Sequence, residues 1–416
     1  MTSSTVSMSG VSPSVGRGLL DTLRISDICL IIYSLASVAF DDGSVVSQLA
    51  RIFVVAGTIT EATSIRFKVT GYHVWLFIFT SIVFISRFWA FSRSGAVGLF
   101  NTVLFNFICL SCVAILICGD SRRIRLVVGC MAIAPIILEL RVILTGGLLA
   151  FLGSRSVGSI SANSVGMFSS FGIYFSYALY KENKKACWLL LSVLNLCISL
   201  LSASRKALMV IALVALLLVV LDSENKDVLG KFAKIALVVA FLILALFLVM
   251  NIPFLYDLVG VRLEGMINGF FGSGGNIDAS TKTRMGLVEY GIEWFQEKPL
   301  LGYGADNFRY LMAAFHPGQT AFYAHNNYIE LLVSYGIVGT SVYYFIYVKM
   351  IASGLSRRKK LSFLELISVC LLIGLLVIDY GLVDYYSRDA QLFIVLVWAI
   401  MNGFHEFSYL EGASSD

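Results

Sequence analysis

Apolar stretches long enough to cross a bilayer recur about twelve times along this 416-residue chain, and they limit its fold more than any single residue does. Read as helices, they cover 25–40, 45–61, 73–91, 95–119, 126–144, 166–180, 186–201, 207–221, 235–252, 328–350, 361–380 and 390–404, with Gln48 and Arg51 interrupting the second. Hydrophobic residues make up 58% and charged residues 14%, against about 25% charged in an ordinary soluble domain, so the expected fold is all-α and polytopic in a membrane. No pair of Gly/Pro-interrupted stretches in corresponding halves marks an internal repeat. The first 24 residues are rich in Ser and Gly and lack an apolar core before a small-residue cleavage site, so they read as a polar tail and not as a signal peptide.

Orientation follows from charge. Arg17/Arg24, Arg66/Lys68, Arg122/Arg123/Arg125, Lys181/Lys184/Lys185, Lys226/Lys231/Lys234 and Arg357/Arg358/Lys359/Lys360 fall at every second connection, which makes that face cytoplasmic. The expected order is a cytoplasmic tail (1–24), a helix bundle (25–252), a large extracytoplasmic loop (253–327), C-terminal membrane helices (328–407) and a second cytoplasmic tail (408–416). The formal net charge of +5 is used up in these clusters, so the bilayer and not nucleic acid is the expected partner. The eight cysteines fall in or beside apolar segments without metal-ligand spacing and read as small buried apolar residues. Arg51, Arg87 and Arg141 lie within or at the ends of spans, where charge is costly, and are expected to snorkel or to pair with Glu61, Glu139 or a neighbour.

Three outward-facing stretches could form one pocket: SASRKA at 202–207, STKTR at 280–284, and His325. Guanidinium groups hold phosphate oxygens bidentately and stay charged when buried, so Arg205 and Arg284, with Lys206 in support, suit a lipid-linked diphosphate. If its sugar is transferred, fixed cations stabilise the charge on the leaving diphosphate, and His325 takes the proton of the attacking hydroxyl. The alternative is that His325 and Asn326 only cap the helix that begins near Tyr328. Asp41-Asp42 could hold a divalent metal or be a solvated loop. Asp379, Asp384 and Asp389, interleaved with Tyr380, Tyr385 and Tyr386, could contact sugars or form the interfacial aromatic belt, and the belt is preferred. There is no zinc-ligand spacing, phosphate-binding G-x-x-x-x-G-K-[ST] loop or G-x-S-x-G turn. No metal site or cofactor is expected.

His325-Asn326, nine residues, then Gly336-Ile337-Val338-Gly339 resembles the H-N-x9-G-x-x-G signature of the bacterial O-antigen ligase and O-antigen polymerase superfamily. Pro299-Leu300-Leu301-Gly302-Tyr303-Gly304 with Asn307-Phe308 is similar to the end of that family's loop. Ser204-Arg205 resembles its upstream Ser-Arg motif, and Arg284 matches its loop arginine. The departure is Lys206-Ala207, where many members have a small residue after the Ser-Arg pair. The resemblance implies a fold similar to the C-type glycosyltransferases in the bacterial plasma membrane, with the site on the extracytoplasmic face and no metal. Arg205 and Arg284 would bind the diphosphate of an undecaprenyl-diphosphate-linked glycan donor, and His325 would activate the hydroxyl of a glycan or lipid-linked acceptor, inverting the anomeric centre. The expected function is polymerisation of surface-polysaccharide repeat units, with a chain-length regulator as a possible partner. The alternatives are a ligase that transfers the polysaccharide to lipid A core and, from another class, a transporter or flippase of lipid-linked sugars.

Overall fold

The computed structural model describes residues 23–61, 69–147, 156–221, 228–253, 279–318 and 320–403, together with Phe151, Tyr256, Gly260, Val261 and Glu264. Both tails beyond these limits, Arg17, Arg66, Lys68, Lys226, Arg262 and most of 254–278 lie outside the described residues.

Helices form at all of the expected apolar stretches: α1 (Ile25–Ala39), α2 (Val45–Thr60), α3 (Gly71–Ser86), α4 (Arg93–Ile117), α5 (Ser121–Gly146), α6 (Ala162–Asn183), α7 (Ala186–Leu201), α8 (Arg205–Leu221), α9 (Val228–Asn251), α12 (Asn327–Ser356), α13 (Phe363–Asp379) and α14 (Arg388–Gly403). Two more, α10 (Ala279–Glu297) and α11 (Phe308–Phe315), lie in the long connection, and a small antiparallel hairpin, β1 (Ser156–Val157) with β2 (Ile160–Ser161), precedes α6. α4, α5 and α12 are each long and apolar enough to cross a membrane, while α1, α2, α3 and α7 are apolar but shorter. The chain is a multi-pass membrane protein.

α14 is buried on every side from Leu392 to Met401, as expected of a helix apolar all round. α6 packs on α5, α7, α8 and α13. Outward-facing side chains such as Leu190, Val193, Phe77 and Ile52 are exposed and apolar, a surface that lipid covers and water does not favour. The long connection has a small core of its own, in which Trp294, Phe308, Leu311 and Met312 pack with Ile329 and Val333 from the start of α12.

Several charged residues sit differently from expectation. Arg123, expected to mark the cytoplasmic face, is 3% exposed and bonds Asp27 and Glu61, each at 2.7 Å. Arg122 joins at Asp27 (3.1 Å) and Arg24 at Glu61 (3.3 Å). Glu61 is therefore not the partner of an intramembrane arginine. Arg51 instead pairs with Asp42 (3.2 Å), Arg141 with Asp41 (3.5 Å), and Arg87 lies on the Phe84 ring, 3.8 Å from its centroid. Asp41-Asp42 lies on an exposed loop, as the solvated-loop reading has it, and its carboxylates pair with these arginines. Cys187 and Cys197 are exposed on the outer side of α7, so the expectation that every cysteine is buried fails there: the helix packs through its other face.

Candidate active site

The site is held by a junction between loop and helix. α12 is broken at Gly336, whose φ of 61° and ψ of −165° are outside the helical region. The break frees backbone groups, and the loop 299–304 takes them up: Tyr303 N–H donates to Val333 O (2.8 Å), Gly304 N–H to Ser334 O (2.8 Å), and Ile337 N–H to Pro299 O (2.8 Å). A Cβ on Gly336 would lie 2.3 Å from Leu300 O, and one on Gly302 2.5 Å from Val333 O, so both positions exclude any larger residue. This is the physical content of the Gly-Tyr-Gly and G-x-x-G motifs. The same loop is pinned to the α3–α4 connection by Phe91 N–H to Tyr303 O (2.9 Å) and Ser92 N–H to the Asn307 side chain (2.6 Å).

The three residues leading into α12 divide their tasks. Asn326 is the cap: its side-chain oxygen accepts from Tyr328 N–H (3.0 Å) and Ile329 N–H (3.2 Å). His325 is not. It stands just before the cap in the left-handed region, at φ 52°, a conformation that costs a non-glycine residue about 1–3 kcal/mol. Its ring rests on Tyr323, with centroids 4.0 Å apart, and neither ring nitrogen has a hydrogen bond among the described residues. Asn327 ties the helix start to the 380–387 connection, accepting from Asp384 N–H (3.2 Å) and donating to Asp379 (3.2 Å).

Cations surround the imidazole. Burial and the charges of Arg284 and Lys206 hold the His325 pKa down at about 4, so the ring is neutral at pH 7. Arg205 and Arg284 both lie within electrostatic reach of Lys206, which donates to the Gly381 carbonyl. Arg205 and Lys206 open α8 after a tight turn, in which Ala203 is left-handed (φ 48°) and the Ser202 hydroxyl accepts from Ser204 N–H (3.2 Å). Two cations at the positive end of a helix dipole repel it and one another, an arrangement that an anion relieves. Ala207 is fully buried against α6 near Gly166, so the unusual Lys206-Ala207 pair packs without a cavity. Lys206, anticipated in support of the arginines, thus acts on His325 together with Arg284, whereas Arg205 is not among the charges that act on it.

The acidic connection was misjudged. Asp379 and Tyr385 are fully buried or nearly so and Asp384 is 2% exposed, so of this group only Tyr380 is well exposed as an interfacial belt requires. Tyr344 O–H donates to Asp379 (2.8 Å). Both oxygens of Asp384 and Oδ1 of Asp379 are buried without a hydrogen-bond partner. Burial and the neighbouring Asp379 accordingly push the Asp384 carboxyl well above the usual range, with Lys206 opposing. The acids themselves were candidates in the sequence, whereas Asn327 and Tyr344, which bond them, were not; the second Asn after His325 was the available signal.

Among the described residues no three His, Cys, Asp or Glu side chains gather as metal ligands. None of the curated proteins matches the chain. Residues 190–344, which contain Arg205, Lys206, Arg284 and His325, match the family model described as O-antigen ligase, a match that supports the resemblance to the O-antigen ligase and polymerase superfamily.

Proposed function

We propose that this protein is a glycosyltransferase of the bacterial plasma membrane that polymerises surface-polysaccharide repeat units from undecaprenyl-diphosphate-linked donors on the extracytoplasmic face. The observation that carries this reading is the neutral, unbonded His325 ring held beside Arg284 and Lys206. In the reaction, the acceptor hydroxyl oxygen attacks the anomeric carbon, its proton passes to His325, and the carbon–oxygen bond to the diphosphate breaks with its electron pair leaving on the diphosphate. Arg205, Arg284 and Lys206 hold that leaving group. One displacement inverts the centre.

Donor binding also prepares the base. The same cations that depress the His325 pKa are neutralised by a bound diphosphate, so the imidazole becomes a stronger base when the substrate that needs it is present. The ligase reading uses the same residues and differs only in the acceptor. Purified protein given lipid-linked repeat units alone is expected to lengthen them. Transfer that occurs only when lipid A core is added would replace polymerase by ligase.

The test of His325 is glycan transfer by His325→Ala and His325→Asn, normalised to folded protein, with donor binding measured separately. A general base contributes about 10²–10⁴-fold, so both variants are expected to lose turnover on that scale while donor binding changes little. Transfer near the wild-type rate by His325→Asn would end the proposal.

A further inference from the structure

Two features found in the sequence have no part in the reaction above: the Asp41-Asp42 pair and the far end of the 380–389 connection. They meet in one cleft of about 160 Å³, smaller than the about 300–1,000 Å³ of a site that encloses a whole small molecule, so it can take only part of a larger ligand. It opens at the end of the bundle where α1 and α5 finish and α6 and α14 begin, the same end at which α8 and α12 start. The connection links it directly to the transfer centre: Asp384 lies by Lys206, and Ser387, three residues on and so at most about 11 Å away along the chain, lines the cleft.

The chemistry of the walls selects the ligand. Asp42 sits 3.2 Å from both Arg51 and Arg388, Asp41 sits 3.5 Å from Arg141, and Asp389 also lines the cleft, so three acids face three arginines and neither a diphosphate nor a metal cation gains a strong net pull. The side chains of Asp41 and Asp42 are still 45% and 47% exposed and can accept further bonds. Arg388, 2% exposed, gives Nη2 to the Ala36 and Phe40 carbonyls, while its Nη1 has no partner. Ser159, Ser164 and the Phe168 ring complete the wall. Fixed carboxylate acceptors, guanidinium donors, hydroxyls and an aromatic face suit a ligand that offers many hydroxyl groups and one apolar ring face.

We propose that this cleft is a glycan subsite that holds uncharged sugar residues of the polysaccharide on which the His325 centre acts. The inference rests on the transferase reading for the identity of its ligand.

The experiment uses the full chain in nanodiscs and two probes, inorganic pyrophosphate and the lipid-free repeat-unit oligosaccharide released by mild acid from the producing strain's own polysaccharide. Ser159→Trp fills the cleft from an exposed hairpin turn, and Ser164→Phe fills it from α6. Each is expected to weaken oligosaccharide binding by about tenfold or more while pyrophosphate binding, which also reports correct folding, stays at the wild-type level. Inhibition by the oligosaccharide that is competitive with the lipid-linked donor assigns the cleft to the donor glycan, and competition with the acceptor assigns it to the acceptor. Absence of oligosaccharide binding to the wild type, or unchanged binding to both filled variants, would overturn the proposal. Oligosaccharide binding that is lost in the filled variants of a protein that transfers no sugar would keep the subsite and reject the transferase.

Discussion

At the end of the bundle where α1 begins, Arg123 is buried between Asp27 and Glu61, with Arg122 and Arg24 completing the set, and every ion has a partner of opposite sign within 3.3 Å. At the opposite end the charges of Lys206 and Arg284 act on His325, Arg205 adjoins Lys206, and burial beside Asp379 pushes the Asp384 carboxyl well above the usual range. One end pairs each ion with its opposite, and the other gathers like charges. A paired cluster fixes helix against helix. Like charges collected at one point raise one another's energy, and an incoming anion lowers it.

The comparison can be broken first at the paired end, where the largest effect is expected. Arg123→Met leaves Asp27 and Glu61 only their more exposed partners Arg122 and Arg24 and should cost up to about 3–5 kcal/mol of stability, measured by denaturant unfolding in micelles, without changing transfer per folded molecule. A stable variant with impaired transfer would mean that this end belongs to the catalytic machinery.

At the other end the sign of the experiment reverses. Arg284→Ala should lower transfer by about 10²–10³-fold with little loss of stability, and Arg284→Lys should recover only part, because the planar fork is lost. Full recovery by lysine would reduce the role of Arg284 to charge alone.

The pH dependence sharpens the contrast. Since the His325 pKa in the free protein is about 4, below its ordinary value of 6.5, the neutral base persists as pH falls until about 4 and is lost below it. The acid limb of kcat/KM for donor should therefore lie near 4, and that of kcat, which reports the donor complex, should move up toward 6.5 as the diphosphate neutralises Arg284 and Lys206. Coincident limbs, both well below 6.5, would show that burial and not the cations sets the His325 pKa.

The smallest effect separates the cap from the base. Asn326→Ala removes two hydrogen bonds at the start of α12 and should cost about 0.5–2 kcal/mol of stability, while transfer per folded molecule falls far less than in His325→Ala. Equal losses of transfer in the two variants would mean that positioning, and not proton transfer, is what His325 supplies.

The sequence by itself determined the helices and the motif residues. Hydropathy is a local property averaged over many side chains, so the twelve apolar stretches were legible, and Arg205, Arg284 and His325 were legible because each stands in a short motif of its own. The roles of Gly302 and Gly336 were not, since only a loop laid against a broken helix shows that a Cβ at either position would strike backbone. Nor could a basic residue beside an apolar run announce whether it marks a membrane face or, as Arg123 does, fills a buried gap between helices. Tertiary structure alone decided that Lys206 meets Gly381 and faces His325, that Asn327 bridges Asp379 and Asp384, and that Asp42 meets Arg388. These contacts join residues tens to hundreds of positions apart, and what selects them is the packing of whole helices, to which no single stretch of sequence carries the key.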